Sequence, residues 1–241
     1  MRIGLIGDIH GNIVALEKCY SVLKQEGCEQ FFHTGDLVGF GPFPNESVDF
    51  IRAHRIPGVR GNYDENAAYK SEDCGCDFGD DKERQAYEST FIWTRKRLSH
   101  AARSLLIDLP FDLTFGESGH TFSIFHANPF DIYTAIFESR SDSFMKEIAG
   151  YTGADINIFS HTHVPFYKSI DGIHFINVGS VGNPKDGDPR ACCVVLDVDG
   201  GVNERVKARI LRVEYDLNKV VDAAKQASLP AGIIESILTG K

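Results

Sequence analysis

The sequence lacks any long hydrophobic run. Although 42% of its 241 residues are hydrophobic, no apolar stretch approaches the roughly 18–20 residues that a helix needs to cross a bilayer. The N-terminal stretch MRIGLIGDIHGN turns polar too early for a signal peptide and predicts a first strand instead. We therefore expect a protein of the cytoplasm, with no membrane partner and with enough apolar side chains for one continuous core.

The sequence also has fewer positively than negatively charged residues. The chain has 25 Lys and Arg against 34 Asp and Glu, a net charge of −9. Proteins that bind nucleic-acid polymers normally present a basic surface, so this balance disfavours polymer DNA or RNA as a partner. A small phosphorylated substrate stays open, because bound metal cations can reverse the local sign of the charge. A homo-oligomer stays open as well.

A disulfide framework is not expected. Six cysteines in a chain of this size, without secretory features, indicate reduced thiols that are structural or incidental. Cys192 and Cys193 lie in an apolar strand pattern, where small buried thiols are common. Cys74 and Cys76 offer an alternative metal site, but no second thiol pair lies near them in sequence.

Strand and helix patterns alternate along the first half of the chain. Arg2–Gly7, Gln30–Thr34 and the short run IPGV predict strands, and helical spacing separates them. The second half contains short β runs divided by turn signals, with helices near Ser141–Ala149 and over Val220–Leu238. The pattern favours a layered α/β fold with two sheets packed face to face and helices outside.

Residues 70–106 break the alternation. The stretch KSEDCGCDFGDDKE predicts an exposed acidic loop, and Arg84–Leu106 shows helical spacing. We expect a small helical cap inserted into one domain that spans residues 1–241.

Polar residues of metal-binding type end five of the apolar runs. Two carboxylates, one amide and four imidazoles suit two divalent ions of the zinc, manganese, iron or nickel kind. Burying so many polar groups without a shared partner would cost several kcal/mol each, which disfavours simple core packing. The seven residues are Asp8, His10, Asp36, Asn62, His126, His161 and His163.

The spacing of these residues suggests how they converge. Asp8/His10 and His161/His163 are i,i+2 pairs, so in extended backbone both side chains of a pair would face the same way. Asp36 has two oxygens and could bridge two ions. The remaining histidines have no partner at ligand spacing and indicate packing or surface positions: His33, His54, His100, His120 and His174.

The order of these residues resembles the calcineurin-like metallophosphoesterase superfamily. Its motifs run D-x-H, G-D, G-N-H-(D/E), H and G-H-x-H, and this chain has Asp8-Ile9-His10, Gly35-Asp36, Gly61-Asn62, His126 and His161-Thr162-His163. The stretch INVGSVGNP at 176–184 is similar to a segment that follows the last family motif. The resemblance therefore covers about three quarters of the chain.

The resemblance implies an αββα fold, a four-layer sandwich of two mixed β-sheets flanked by helices. It implies one ion held by Asp8, His10, Asp36 and His163, and a second held by Asp36, Asn62, His126 and His161. Candidate ions are Mn, Fe, Zn, Ni and Co. A hydroxide bridging the two ions would attack a phosphoester, with Asp36, Asn62, Tyr63 and His126 as the catalytic residues.

Three departures from the family pattern bear on the chemistry. Tyr63 stands where the family has a histidine assigned to the leaving group or the transition state. The family often has D-R-G three residues after the aspartate that corresponds to Asp36, but Leu37–Gly41 contains no acid and no arginine. This difference disfavours a close relationship to protein phosphatases. Ser160 replaces the glycine before His161, a change expected to cost little. For Tyr63, simple packing beside the site is weighed equally with a role as proton donor.

The substrate is the open question. A phosphodiester, including a nucleotide, is the first expectation, with a phosphomonoester or a dinucleoside polyphosphate as alternatives. A non-catalytic binding module that retains the fold, or a nuclease, is a further alternative. Candidate substrate contacts are Phe40 and Phe43 in the loop Gly39–Asn45, the 70–104 segment, Asn128 and Arg190.

Overall fold

The computed structural model describes residues 1–69, 71–74, 81–199 and 205–241, and these contain nine strands and eight helices. The elements in chain order are β1 Arg2–Ile6, α1 Ile13–Gln25, β2 Gln30–His33, α2 Pro44–His54, α3 Asn62–Tyr69, α4 Asp81–Arg97, α5 His100–Asp108, β3 Asp112–Glu117, β4 His120–Phe125, α6 Asp142–Thr152, β5 Ile156–Phe159, β6 Phe166–Ile170, β7 Ile173–Asn177, β8 Ala191–Asp199, β9 Arg205–Val213, α7 Leu217–Gln226 and α8 Ala231–Thr239.

The strands form two mixed sheets. The first has the order β2-β1-β8-β9, in which β1 is parallel to β2 and antiparallel to β8. The second has the order β3-β4-β5-β7-β6, in which β4, β5 and β7 are parallel to one another. Parallel neighbours end at the same edge of a sheet, so the residues after β1 and β2 meet, as do those after β4 and β5.

Apolar side chains from both sheets meet in a central layer. Leu5 of β1 and Val194 of β8 pack with Ile124 of β4 and Ile158 of β5, and all four are fully buried. Burial of each such side chain contributes about 1.5–3 kcal/mol. This contact joins the two sheets face to face.

Helices cover the outer faces. On the first sheet, Cys193 and Val195 of β8 point away from the central layer into a cluster with α1, α7 and α8. On the second sheet, Met145 and Ile148 of α6 pack on aromatic side chains of β4, β5 and β7. Period-2 alternation therefore gives the central strands two apolar faces. The result is the four-layer αββα arrangement expected from the sequence.

Some local expectations needed correction. The run IPGV is not a strand, and only Gly58 forms a single parallel bridge to His33. Asn62 begins α3 instead of ending a strand. Much of the predicted acidic loop, including Cys76, lies outside the described residues, while α4 and α5 account for the helical spacing of the 70–106 segment.

Two further features of the described residues concern their helices and their cysteines. None of the helices in these parts of the chain has both the length and the apolar character needed to cross a bilayer. Among the cysteines that the structure describes, all five are free and buried: Cys19, Cys28, Cys74, Cys192 and Cys193.

Candidate metal centre

The predicted ligands lie in the loops that follow four strands. Asp8 and His10 follow β1, and Asp36 follows β2. The other three loop residues come after β4 and β5, and Asn62 opens α3 beside them. Hydrogen bonds join the first two loops, since the amides of Asp8 and His10 donate to the carbonyls of Gly35 at 3.1 Å and Asp36 at 2.8 Å.

One group of donor atoms converges around His10. Its Nε2 atom lies 3.0 Å from Nε2 of His163 and 3.6 Å from Oδ2 of Asp36. Oδ2 of Asp8 is 3.7 Å from Nε2 of His163. The set Asp8, His10 and His163 is therefore one cluster able to hold a cation.

A second group converges around His126. Its Nε2 atom lies 3.0 Å from Oδ1 of Asn62 and 3.1 Å from Nδ1 of His161. Oδ2 of Asp36 is 3.6 Å from the same nitrogen. The same oxygen of Asp36 thus faces both groups of donors.

All four imidazoles are oriented by backbone carbonyls. In each ring, the nitrogen that faces away from the donor groups lies within hydrogen-bond distance of a carbonyl oxygen. The pairs are His10 Nδ1 with Val38 O at 3.2 Å, His126 Nδ1 with Thr34 O at 2.9 Å, His161 Nε2 with Tyr133 O at 2.8 Å, and His163 Nδ1 with Asn183 O. With the N–H placed there, the inward nitrogen carries a lone pair, which is the tautomer a metal requires.

Burial sets the charge state of these rings. It lowers the pKa of His10, His126, His161 and His163 below the usual value, which keeps the imidazoles neutral and able to bind a cation. Backbone hydrogen bonds oppose this effect only in part.

The two carboxylates experience the opposite effect. Burial raises the pKa of Asp8 and Asp36 well above the usual value, and the nearby carboxylate of Asp64 raises both further. Buried carboxylates and converging lone pairs are costly without a cation between them.

The spacing of the donors suits divalent cations. Metal–nitrogen bonds of about 2.0–2.1 Å place neighbouring donor atoms about 3.0–3.4 Å apart, depending on coordination geometry. The imidazole–imidazole and imidazole–amide distances of 3.0–3.1 Å fall in this range. The imidazole and amide donors therefore have the spacing of ligands to one ion in each group, and the carboxylate oxygens lie slightly farther away, at 3.6–3.7 Å from the imidazole nitrogens.

The backbone of the ligand loops is left-handed rather than extended. The φ angles are 46° at Asp8, 47° at His10, 50° at Asp36, 67° at His161 and 60° at His163. The i,i+2 argument from extended backbone was therefore wrong. The pairs converge because each loop makes a tight left-handed turn immediately after its strand.

Gly61 permits close approach beside Asp36. A Cβ atom added at Gly61 would lie 2.1 Å from Oδ1 of Asp36, a distance no side chain could accept. The amide of Tyr63 donates to that Oδ1 at 2.9 Å and orients the carboxylate. The Gly-Asn of GNYD therefore serves two purposes, close packing at Gly61 and an inward amide at Asn62.

Asp64 was not singled out by the sequence. Its carboxylate accepts hydrogen bonds from the amides of Leu37 at 2.8 Å, Val38 at 3.3 Å and Gly61 at 3.1 Å. Burial raises its pKa to about 7, against the lowering effect of these bonds. The residue ties the loop after β2 to the start of α3.

Ser160 has a larger role than its small size suggested. Its hydroxyl donates to Oδ1 of Asp8 at 2.9 Å and accepts from the hydroxyl of Thr34 at 2.8 Å. The amide of His161 donates to the other oxygen of Asp8 at 2.8 Å. The serine at the family's glycine position therefore fixes the Asp8 carboxylate.

Tyr63 is buried beside the centre, with 3% of its surface exposed. Its ring contacts the His10 ring at a centroid distance of 5.2 Å and the Phe40 ring at 4.9 Å. It also lines the cleft above the donor groups. Packing beside the site and a role as proton donor are both compatible with this position.

A cleft of about 650 Å³ opens above the donor groups. Phe40 lines it, as expected, together with Glu83 and Tyr87 of α4. Sequence reasoning missed further residues of the lining, among them Tyr133, Phe137, Arg140 and Lys185. The only signal for Lys185 was its place directly after the INVGSVGNP stretch.

Three proposed substrate contacts lie elsewhere. Phe43 is at the N-terminus of α2. Arg190 is paired with Asp188 at 2.7 Å at the surface. Asn128 shapes its own loop, since its Oδ1 accepts from the amides of residues 130 and 131 and its Nδ2 donates to the carbonyl of residue 134. That loop carries the Tyr133 carbonyl that orients His161.

Comparisons with known proteins agree with this geometry. An uncharacterized protein of Methanocaldococcus jannaschii, MJ0912, is 29% identical over 255 aligned positions, covering 99% of this chain and 98% of the relative. Phosphodiesterase YfcE of Escherichia coli is 23% identical, covering 83% of this chain and 89% of the relative. The crystal structure of a metallophosphoesterase from Sphaerobacter thermophilus superposes with a TM-score of 0.79 at 25% identity, covering 100% and 99% of the two chains.

The model of the calcineurin-like phosphoesterase superfamily domain matches residues 1–201. That span contains all seven residues whose donor atoms form the two groups. On this match, the chain belongs to the calcineurin-like phosphoesterase superfamily.

Proposed function

We propose that the protein is a dinuclear-metal phosphoesterase that hydrolyses phosphodiesters. Asp8, His10, Asp36 and His163 hold one ion, and Asn62, His126 and His161 hold the second together with Asp36. The observation that supports this best is the position of Asp36, whose Oδ2 atom is 3.6 Å from Nε2 of both His10 and His126. A carboxylate shared between two donor groups suits two adjacent cations.

The chemistry follows from the family's use of divalent metals. When bound, two such ions supply a nucleophilic oxygen derived from water at neutral pH and neutralise charge on the phosphoryl group. The chain's own contribution is to present four neutral imidazoles, two carboxylates and one amide oxygen in fixed orientations. Imidazole and carboxylate donors accept Mn, Fe, Zn, Ni or Co, so availability decides which ion is present.

The tyrosine at position 63 supports a preference of the enzyme for substrates with good leaving groups. A phenol with an ordinary pKa near 10 donates a hydrogen bond to a leaving oxygen but transfers a proton less readily than an imidazolium. Aryl diesters, nucleotides and anhydrides have leaving groups that need little protonation. The name of the Escherichia coli relative, a phosphodiesterase, favours diesters over monoesters.

In this proposal α4, in the described part of the 70–106 segment, acts as a cap. Glu83 and Tyr87 of α4 form one wall of the cleft, and α4 packs on α3 and α8 of the main body. The cap would therefore limit the size of the group that leaves.

The test begins with metal analysis of protein purified without chelator, where we expect about two equivalents per chain. Hydrolysis of bis-p-nitrophenyl phosphate and of p-nitrophenyl phosphate is then compared with each added ion, and we expect the diester to react faster. Asp36→Asn is the matched variant and should lose both the metal and the activity. Faster monoester hydrolysis would make the protein a monoesterase, and metal-free, inactive protein would identify a binding module.

A further inference from the structure

Lys185 is a cation in the cleft that no motif assigns. It lies on the segment after β7, two residues beyond Asn183, whose carbonyl orients His163. Its Nζ atom is 4.9 Å from the centroid of the Tyr87 ring and 5.8 Å from that of Phe40. The two rings attract the ammonium group and restrict where it can go.

The Phe40 ring connects Lys185 to the donor groups. Its centroid is 4.4 Å from that of the His10 ring and 6.2 Å from that of the His163 ring. Burial chiefly lowers the pKa of His10 and His163, and the charge of Lys185 adds to that effect in both. The charge of Lys185 is therefore near enough to reach both imidazoles.

No carboxylate of the described residues forms an ion pair with Lys185. An unpaired ammonium close to two cation sites is repelled by whatever metal binds there. An anion bound between Lys185 and the metal ions would offset this repulsion.

Among the described residues that line the cleft, Lys185 and Arg140 carry a permanent positive charge. Leu37–Gly41 contains no arginine, and Tyr63 stands where the family has a histidine. Arg140 also lines the cleft, but its guanidinium stacks on Phe144 with 5.2 Å between the guanidinium carbon and the ring centroid. Among the described ring contacts, Lys185 but not Arg140 shares a ring, that of Phe40, with the ligand residues His10 and His163.

We propose that Lys185 binds a non-bridging phosphoryl oxygen of the substrate, with the rings of Phe40 and Tyr87 holding its ammonium group over the metal centre. The proposal rests on the proposed function for the position of the phosphoryl group. It makes Lys185 a substrate-binding residue that takes over from the missing arginine and histidine.

The test compares Lys185→Met and Lys185→Gln with Lys185→Arg, which keeps the charge. Lys219→Met, an exposed lysine of α7 outside the cleft, is the control. Inorganic phosphate is the probe, and its binding to the metal-loaded protein is measured by calorimetry, independently of turnover. KM and kcat for bis-p-nitrophenyl phosphate and the metal content are measured in parallel.

We expect phosphate binding by the Met and Gln variants to weaken about tenfold to a hundredfold, as for the loss of one hydrogen bond to a charged group. Their KM should rise with an unchanged metal content, and the Arg and Lys219 variants should stay within a few-fold of the wild type. Unchanged phosphate binding in the Met and Gln variants would overturn the proposal. So would a loss of metal in these variants, because it would make Lys185 part of the scaffold. If the wild type binds phosphate through Lys185 but hydrolyses no substrate, the binding role of Lys185 is supported and the proposed hydrolase activity is refuted.

Discussion

Replacement of Ser160 is the sharpest test of how the first metal site is held. Its hydroxyl forms a chain from Thr34 through Ser160 to Asp8, with links of 2.8 and 2.9 Å. All three residues are buried. In Ser160→Ala, Oδ1 of Asp8 loses this donor, and the Thr34 hydroxyl loses its acceptor.

The expected magnitude follows from the charge on Asp8. A hydrogen bond to a charged group contributes about 1.5–3 kcal/mol, and about 1.4 kcal/mol corresponds to a factor of ten in affinity. Loss of a group that orients a metal ligand costs about 10–100-fold in metal affinity, in agreement with that figure. We therefore expect Ser160→Ala to weaken binding of the ion at Asp8, His10 and His163 by about 10–100-fold.

The assay is a metal titration in chelator buffers that resolves two sites. The ion at Asn62, His126 and His161 should bind almost as in the wild type, because Ser160 contacts none of these side chains in the hydrogen bonds described. Thr34→Val is the matched control, since it removes only the outer link of the chain and should have a smaller effect. Equal weakening of both sites, or wild-type affinity in Ser160→Ala, would refute the reasoning.

Three further predictions concern other parts of the molecule. Tyr63→His should flatten the decline in rate across aryl phosphodiesters of rising leaving-group pKa, and an unchanged slope would remove Tyr63 from the chemistry. Chelator should lower the thermal midpoint, because metal at a hundredfold excess over Kd stabilises the folded state by about 2.7 kcal/mol, and an unmoved midpoint would contradict a metal centre. Burial lowers the pKa of His33 to about 3, so between pH 6.5 and 3 the unfolded chain binds one more proton at this residue. Wild type should therefore lose about 1.4 kcal/mol of stability per pH unit relative to His33→Gln as pH falls through this window, and parallel denaturation curves across pH would contradict it.

Most of the strands and helices and the seven candidate ligands could be predicted from the sequence. A nearly continuous apolar run marks β8, and apolar runs that stop at Asp8, Asp36 and His126 mark strand ends. These features are local, so a single sequence records them. The sandwich followed from the same pattern, since alternating strands with two apolar faces need both a second sheet and a helical layer.

The residues that support the donor groups could not be predicted from the sequence, because their roles depend on contacts between distant segments. Ser160 contacts Asp8 across 152 positions, and Asp64 binds amides 26 and 27 residues earlier. Lys185 reaches the rings of Phe40 and Tyr87 from another part of the chain. A lone serine, aspartate or lysine has no pattern that predicts such a partner.

The left-handed turns explain why so many supporting contacts are needed. Five candidate ligands have positive φ angles, each costing about 1 kcal/mol for a residue other than glycine. The sum of about 5 kcal/mol matches the lower end of the stability of a whole domain. Fixed hydrogen bonds offset this cost in the protein itself, since Asp64 binds the loop after β2 and the Ser180 hydroxyl donates to the Asp8 carbonyl at 2.7 Å. These hydrogen bonds therefore stabilise the left-handed turns that bring the donor groups together.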